Sequence, residues 1–316
     1  MNAKPIVLTV TGGKGGTGKT VVSVNLAVMF KNKGYRVLLV DGDVENPNTY
    51  LLMDAKLQNS EPVKIFTPVI NTDKCEKCGL CSKNCLSHAL LFVKDAFPIP
   101  ITNVCSGCKL CYKICPTNAI EPEYRIIGNT YFTSINDIDL LIGEIIPTEA
   151  KSAVIVEALM DKIEKIKIES KNSGKKGYDI IILDSAPGAH CDVELLIDKG
   201  DYIITITEPT KFGKHDLVRI IELIKLLNKK FYVVINRSSL PGYKKEFMSF
   251  LNEKEYPILG EIPLDNDILS SYCNATPLMD EKNGYNKNGP GYIAFKKLFE
   301  QLQSIIKIQK IEVRNK

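Results

Sequence analysis

No stretch of this 316-residue sequence stays apolar for the roughly 18 residues that a membrane-spanning helix needs, so a spanning helix is excluded. Charge of one sign is also lacking: 41 Lys and Arg against 37 Asp and Glu leave a net +4, too small and too dispersed for a dedicated nucleic-acid face. The N-terminus has none of the basic and apolar blocks of an export signal, because residues 1–4 run directly into a strand-like segment at 6–11. The expectation is a cytoplasmic protein whose mature chain starts here, with no nucleic-acid partner and no membrane contact. A hydrophobic content of 44% suffices for a large core, which excludes a disordered chain.

Cysteine, in contrast, is plentiful. Ten cysteines without an export signal argue against a disulfide framework and for metal or redox chemistry, since cytosolic thiols are kept reduced. Eight of them fall within residues 65–123, where prolines are frequent and no long helical pattern exists. The two halves of this stretch repeat at an offset of 30 residues: Cys75, Cys78, Cys81 and Cys85 correspond to Cys105, Cys108, Cys111 and Cys115. Zinc prefers paired C-x2-4-C units separated by a longer loop, a poorer match to this spacing.

Outside that stretch, apolar runs recur at 6–11, 36–40, 180–183, 202–207, 231–235 and 257–262, mostly without alternation, as strands covered on both faces require. Helical patterns lie between them, with Val21, Val24, Leu26, Val28 and Phe30 in one and Leu217, Ile220, Ile221, Ile224 and Leu227 in another. The alternation predicts an α/β fold with a doubly wound, mostly parallel sheet. Residues 129–146 read as a hairpin, 152–169 as a helix, 173–177 as a Gly/Lys-rich loop, and 293–308 as an amphipathic helix followed by a short basic tail.

Gly13-Lys14-Gly15-Gly16-Thr17-Gly18-Lys19-Thr20 fits G-x-x-x-x-G-K-T between a strand and a helix. The glycines let several backbone N–H groups face one anion at a helix N-terminus, Lys19 reaches the terminal phosphates, and the Thr20 hydroxyl ligates Mg²⁺. With Lys14 after the first glycine, the loop resembles the deviant Walker A motif of the MinD, ParA and Mrp ATPases. That resemblance implies an ATP-dependent homodimer in which Lys14 reaches the partner's nucleotide. It also makes Val40-Asp41-Gly42-Asp43 similar to the family's switch motif, where Asp43 orients the attacking water and Asp41 lies near the magnesium. Ile182 to Gly188 resembles a Walker B strand end, with Asp184 holding Mg²⁺ through water, and Asn236-Arg237 matches the position that reads adenine. The implied catalytic set is Lys14, Lys19 and Asp43; the implied Mg²⁺ set is Thr20, Asp41 and Asp184. The terminal helix is similar to MinD's membrane-targeting helix, although its pattern suits packing on the sheet.

The two cysteine runs resemble bacterial two-cluster ferredoxins, in which the fourth cysteine of each run serves the other cluster. The resemblance assigns Cys75, Cys78, Cys81 and Cys115 to one 4Fe-4S cluster and Cys105, Cys108, Cys111 and Cys85 to the other. One departure is Leu86, which stands where that pattern has proline after the fourth cysteine. The expected organisation is a P-loop ATPase domain, 1–64 and 124–316, interrupted by a ferredoxin-like α+β domain at 65–123, with ATP, Mg²⁺ and two clusters. The implied activity is ATP-gated electron transfer to a redox partner. The alternative is assembly or insertion of a metal cofactor into an apo-metalloprotein, for which Cys191, seven residues after Asp184 as in the nitrogenase iron protein, is the candidate thiol. A positioning or partition ATPase would need a membrane helix or a basic DNA face.

Overall fold

The first apolar run becomes strand β1, Ile6–Thr11, and the glycine loop after it leads into helix α1, Lys19–Asn32. In this computed structural model, which describes residues 4–173 and 176–306, the chain divides into two units. The first comprises Met1–Ser60, Thr130–Glu144 and Ser152–Lys316; the second comprises Glu61–Asn129 and Ile145–Lys151. The chain after α1 forms β2 (Val37–Gly42), α2 (Thr49–Leu52), β3 (Glu61–Ile70), α3 (Leu80–Lys83), β4 (Leu90–Leu91), β5 (Ile99–Pro100), α4 (Leu110–Ile114) and β6 (Ile120–Ile135). There follow β7 (Ile138–Ile145), α5 (Ser152–Asn172), β8 (Ile180–Ser185), α6 (Cys191–Lys199), β9 (Tyr202–Thr207) and α7 (Lys211–Leu226). The last elements are β10 (Phe231–Ile235), α8 (Lys244–Glu253), β11 (Ile258–Glu261), α9 (Asn266–Cys273) and α10 (Pro290–Ile306).

In the first unit the strands run β11-β10-β9-β1-β8-β2-β7-β6. Every pairing from β11 to β7 is parallel, the α/β arrangement that the apolar runs predict. Strands burying both faces explain why those runs do not alternate: Val233 and Ile235 join one core with α6, α7 and α8, whereas Val234 joins the other with α1 and α10. The β6–β7 hairpin closes through Asn136 and Asp137, both left-handed at φ 48° and 61°, the geometry a tight two-residue turn demands.

Helix α10 turns Phe295, Leu298, Phe299 and Leu302 into the core, so its apolar stripe is spent on packing. Pro290 opens it, where a missing N–H costs nothing. Residues 307 and 308, included in the sequence-based helix, lie outside the described residues, as do the basic tail and residues 174 and 175 of the Gly/Lys-rich loop. No helix among the described residues is long and apolar enough to cross a membrane. Phe30 is fully buried beneath α10, its ring 4.8 Å from that of Phe299 and edge-on to it. Replacing Phe30 by alanine is expected to cost about 3–5 kcal/mol, read as a lower urea midpoint at unchanged slope.

The second unit contains two long strands that the apolar pattern did not single out. The ten-residue β3 begins at Glu61, and β6 begins at Ile120, before the expected boundary at 123. Pro62, Pro68 and Pro122 obscured both strands in the sequence. Pro62 and Pro68 are tolerated in β3 because it is last in the strand order, where an absent N–H breaks no ladder on the open side, and Pro122 sits at the third position of β6.

Candidate nucleotide site and cysteine-rich unit

The loop between β1 and α1 is shaped by what its glycines touch. Gly18 has φ 94°, which a side chain rarely adopts, and a Cβ there would overlap the Asn236 amide. That amide donates to the Thr17 carbonyl at 2.7 Å, while Asn236 Oδ1 accepts the Arg237 N–H at 2.9 Å. At Gly13 a Cβ would overlap the Asp216 carbonyl of α7, so the start of the loop is seated against that helix. Lys19 is buried, and its ammonium donates to the Lys14 carbonyl at 3.3 Å. Burial pulls the Lys19 pKa down, while the negative charges of Asp184 and Asp43 counteract this.

The parallel register of β2 and β8 places Asp41 directly beside Asp184, both fully buried. Burial raises the pKa of each above the ordinary carboxylate range, and mutual repulsion raises that of Asp41 further. Their oxygens are used differently. Asp41 accepts from the backbone N–H groups of Asp43 at 3.1 Å, Asn48 at 2.9 Å and Thr49 at 2.9 Å, and from the Thr49 hydroxyl at 2.8 Å. Both of its oxygens therefore shape the turn that carries Asp43. Asp184 accepts from Ser23 at 2.8 Å through Oδ1, and the nearby Thr20 hydroxyl draws its pKa down against burial, yet Oδ2 is buried with no hydrogen-bond partner. An orphaned carboxylate oxygen beside a P-loop threonine fits a divalent cation. Asp43, partly buried, also has a raised pKa, mainly from burial and opposed by the Lys19 charge.

Gly15, Gly16, Gly18, Lys19, Thr20, Asp43, Asn236 and Arg237 line one pocket of about 390 Å³. Gly13, Lys14, Thr17, Asp41 and Asp184 are not on its surface. Its far wall, formed by Pro263, Leu264, Asp265, Ile268, Leu269 and Tyr272, was not singled out from sequence. The signal available there was a helix start: Asp265 caps α9 by accepting from the N–H groups of Asp267 and Ile268. A cap locates a helix without saying what it faces. Ser23 was missed for a similar reason, since in sequence it is only a polar residue one turn into α1. Glu208 and Arg237 form an ion pair at the strand ends, and Cys191 is exposed as the first residue of α6.

In the second unit the 30-residue repeat is visible in the backbone. Gly79 and Lys109 each precede a short helix in left-handed conformation, at φ 68° and 62°. Ala89 and Ala119 each donate their N–H to a cysteine sulfur, Cys85 and Cys115, at 3.2 Å. Burial alone would raise the Cys115 pKa, but the Ala119 N–H and the Thr117 hydroxyl outweigh it and bring it down. Burial and neighbouring thiols push Cys111 up to about 11. One pocket is lined by Cys75, Cys78 and Cys81 from the first run together with Cys115 from the second. Among the described residues no group of three or more His, Cys, Asp or Glu is placed to hold a single metal ion.

Residues 8–278 match the CobQ/CobB/MinD/ParA nucleotide binding domain. The chain is 34% identical over 274 residues to an uncharacterised protein of Methanocaldococcus jannaschii, covering 85% of this chain and 89% of that one. A second uncharacterised protein of that organism is 30% identical over 302 residues, covering 95% and 97%. Among solved structures, the septum site-determining protein MinD of Pyrococcus horikoshii, complexed with Mg-ADP, aligns with a TM-score of 0.57 at 19% identity, over 98% of this chain and 100% of that one, a likeness of fold. With the strand–loop–helix geometry, the paired acids and a family match over most of its length, the chain belongs to the CobQ/CobB/MinD/ParA nucleotide-binding family of P-loop ATPases.

Proposed function

We propose that this ATPase is an iron-sulfur protein that couples its nucleotide state to electron transfer through two 4Fe-4S clusters. The observation that carries this reading is the pocket in the second unit, where three thiols of one cysteine run meet the fourth thiol of the other. Cys75, Cys78, Cys81 and Cys115 would hold one cluster and Cys105, Cys108, Cys111 and Cys85 the other. Such clusters supply one-electron chemistry whose potential depends on exposure and on hydrogen bonds to sulfur, of which the Ala89 and Ala119 N–H groups are examples.

In the first unit the loop from Gly13 to Thr20 binds the phosphates, with the backbone of Gly15, Gly16, Thr17 and Gly18 facing the anion and Lys19 neutralising its terminal charge. Thr20 and the free oxygen of Asp184 would hold Mg²⁺, while Asp41 holds the turn that presents Asp43 to the attacking water. Asn236 and Arg237 border the base. Phosphoryl transfer asks mainly for positioning and charge compensation, and Lys14 supplies its charge to the nucleotide of a second copy in an ATP-dependent homodimer. Closing two copies around two nucleotides gives the states differential contacts, which is what coupling requires.

The test is a redox titration followed by EPR on anaerobically purified protein, without nucleotide, with ADP and with a non-hydrolysable ATP analogue. A potential or spin coupling that changes with nucleotide is the expected result; clusters indifferent to all three states would sink the coupling. A cofactor-assembly role is favoured by one observation, the exposed thiol of Cys191 at the start of α6. It predicts that Cys191→Ser abolishes transfer of iron to an apo-protein, and unchanged transfer counts against it.

A further inference from the structure

Phe212 is a large apolar side chain left 75% exposed on the first turn of α7. The core does not need it there, because the buried stripe of that helix is made by Leu217, Ile220, Ile221 and Ile224. The turn carrying it is nevertheless held firmly. Thr210 Oγ1 accepts the Gly213 N–H at 2.9 Å, the Thr207 hydroxyl donates to the Gly213 carbonyl at 3.1 Å, and a Cβ at Gly213 would overlap the Glu208 carbonyl. One turn further on, the Asp216 carbonyl is the group against which Gly13 is seated. The backbone just before Lys14 and the backbone carrying Phe212 are thus fixed relative to one another.

Across this fixed gap the Lys14 ammonium lies 5.8 Å from the centroid of the Phe212 ring, within cation–π range. Lys14 is absent from the lining of its own chain's pocket, whereas Lys19, five residues later, is buried in it and feels Asp184 and Asp43. The same loop therefore directs one lysine inward and holds the other outside, against an exposed aromatic face.

We propose that Phe212 is the positioning residue for Lys14, holding its ammonium in one outward arrangement ready for the phosphates bound by a second copy of the chain. This rests on reading Lys14 as the lysine delivered to the partner's nucleotide. A free lysine loses much of its rotamer freedom when its tip is fixed, and the ring restricts that freedom before the copies meet. The ring acts through Lys14 and touches no nucleotide.

The test compares full-length Phe212→Ala, Phe212→Leu and Phe212→Tyr with wild type, measuring kcat and binding of a fluorescent ADP analogue. Ala and Leu are expected to lower kcat about two- to fivefold, the scale of an exposed cation–π contact, with ADP affinity unchanged and Tyr retaining activity. Full activity in the Leu variant, or equal loss in all three, overturns the proposal. Self-association with a non-hydrolysable ATP analogue, followed by sedimentation, supplies the second measurement. Phe212→Ala should weaken it in the wild-type background and not in Lys14→Ala; equal weakening in both overturns the proposal. If Lys14→Ala itself leaves turnover and self-association unchanged, the underlying reading of Lys14 falls as well. Lys14-dependent turnover that ignores Phe212 removes the proposal alone.

Discussion

Asp184→Asn is expected to lower Mg²⁺-dependent ATP turnover by about a hundredfold or more while making the nucleotide-free protein more stable. The two effects share one cause. Asp184 and Asp41 are register partners on adjacent parallel strands, both without solvent, and Oδ2 of Asp184 has no hydrogen-bond donor. Without a cation, burial and repulsion hold the pKa of the pair above its unfolded value. Stability contributed by a group with a raised pKa is fully present below the unfolded value and is lost as pH rises through the folded one. The metal-free wild type should therefore soften as pH climbs from the ordinary carboxylate range towards neutrality. Asparagine keeps a partner for Ser23 and removes the charge, so the variant should soften less. Each 1 kcal/mol of relieved repulsion is worth roughly 2–4 °C in a domain of this size. Thermal midpoints in chelator at several pH values give the first reading, and phosphate release with Mg²⁺ gives the second. A variant that keeps turnover would show that Asp184 does not carry the metal, and one that follows the wild-type pH slope would show that it does not carry the repulsion.

What could be read from sequence was what lies within one turn of chain. The octet Gly13 to Thr20 places its chemistry by covalent spacing alone, and its strand and helix neighbours follow from local apolar patterns. Asp41 and Asp184 were each recognisable as acids at strand ends, but their adjacency depends on β2 and β8 lying side by side, 143 residues apart at Asp41 and Asp184, and no local pattern states that. For the same reason the sequence could not show that Asp41 has both oxygens occupied by the turn before Asp43, whereas Asp184 keeps one free. The pocket wall from Pro263 to Tyr272 was invisible because caps and apolar faces look alike whether they border a ligand or solvent. Strand β3 and the first half of β6 were obscured by their prolines, which count against a strand, whereas the second half of β6 was legible as an arm of the hairpin at 129–146. The Lys14–Phe212 contact joins residues 198 apart and depends on Gly13 meeting α7.

Under the iron-sulfur reading, Cys115→Ala should cost about half of the iron, and the half lost should be the cluster of the first cysteine run. The argument is geometric. Cys115 lines the pocket of Cys75, Cys78 and Cys81, although in sequence it belongs with Cys105, Cys108 and Cys111. Crossed ligation therefore predicts that Cys78→Ala with Cys115→Ala loses no more iron than either alone, because both strip the same cluster. Cys108→Ala with Cys115→Ala should lose nearly all of it. Uncrossed ligation predicts the opposite pattern, so iron and sulfide analysis of the two double variants decides between them, with EPR of the reduced proteins identifying the surviving cluster. Cys85→Ala should mirror Cys115→Ala by removing the other half. Stability should follow the iron. The buried apolar cluster around Cys81 is small, consisting of Phe66, Leu90, Ile120 and Cys81 itself, and a crossed ligand would tie the two repeats together. Limited proteolysis should then cut the second unit faster in Cys115→Ala than in wild type. A wild-type protein that takes up no iron when reconstituted with iron and sulfide under argon would remove the clusters, and with them the reason for these thiols to meet across the repeat.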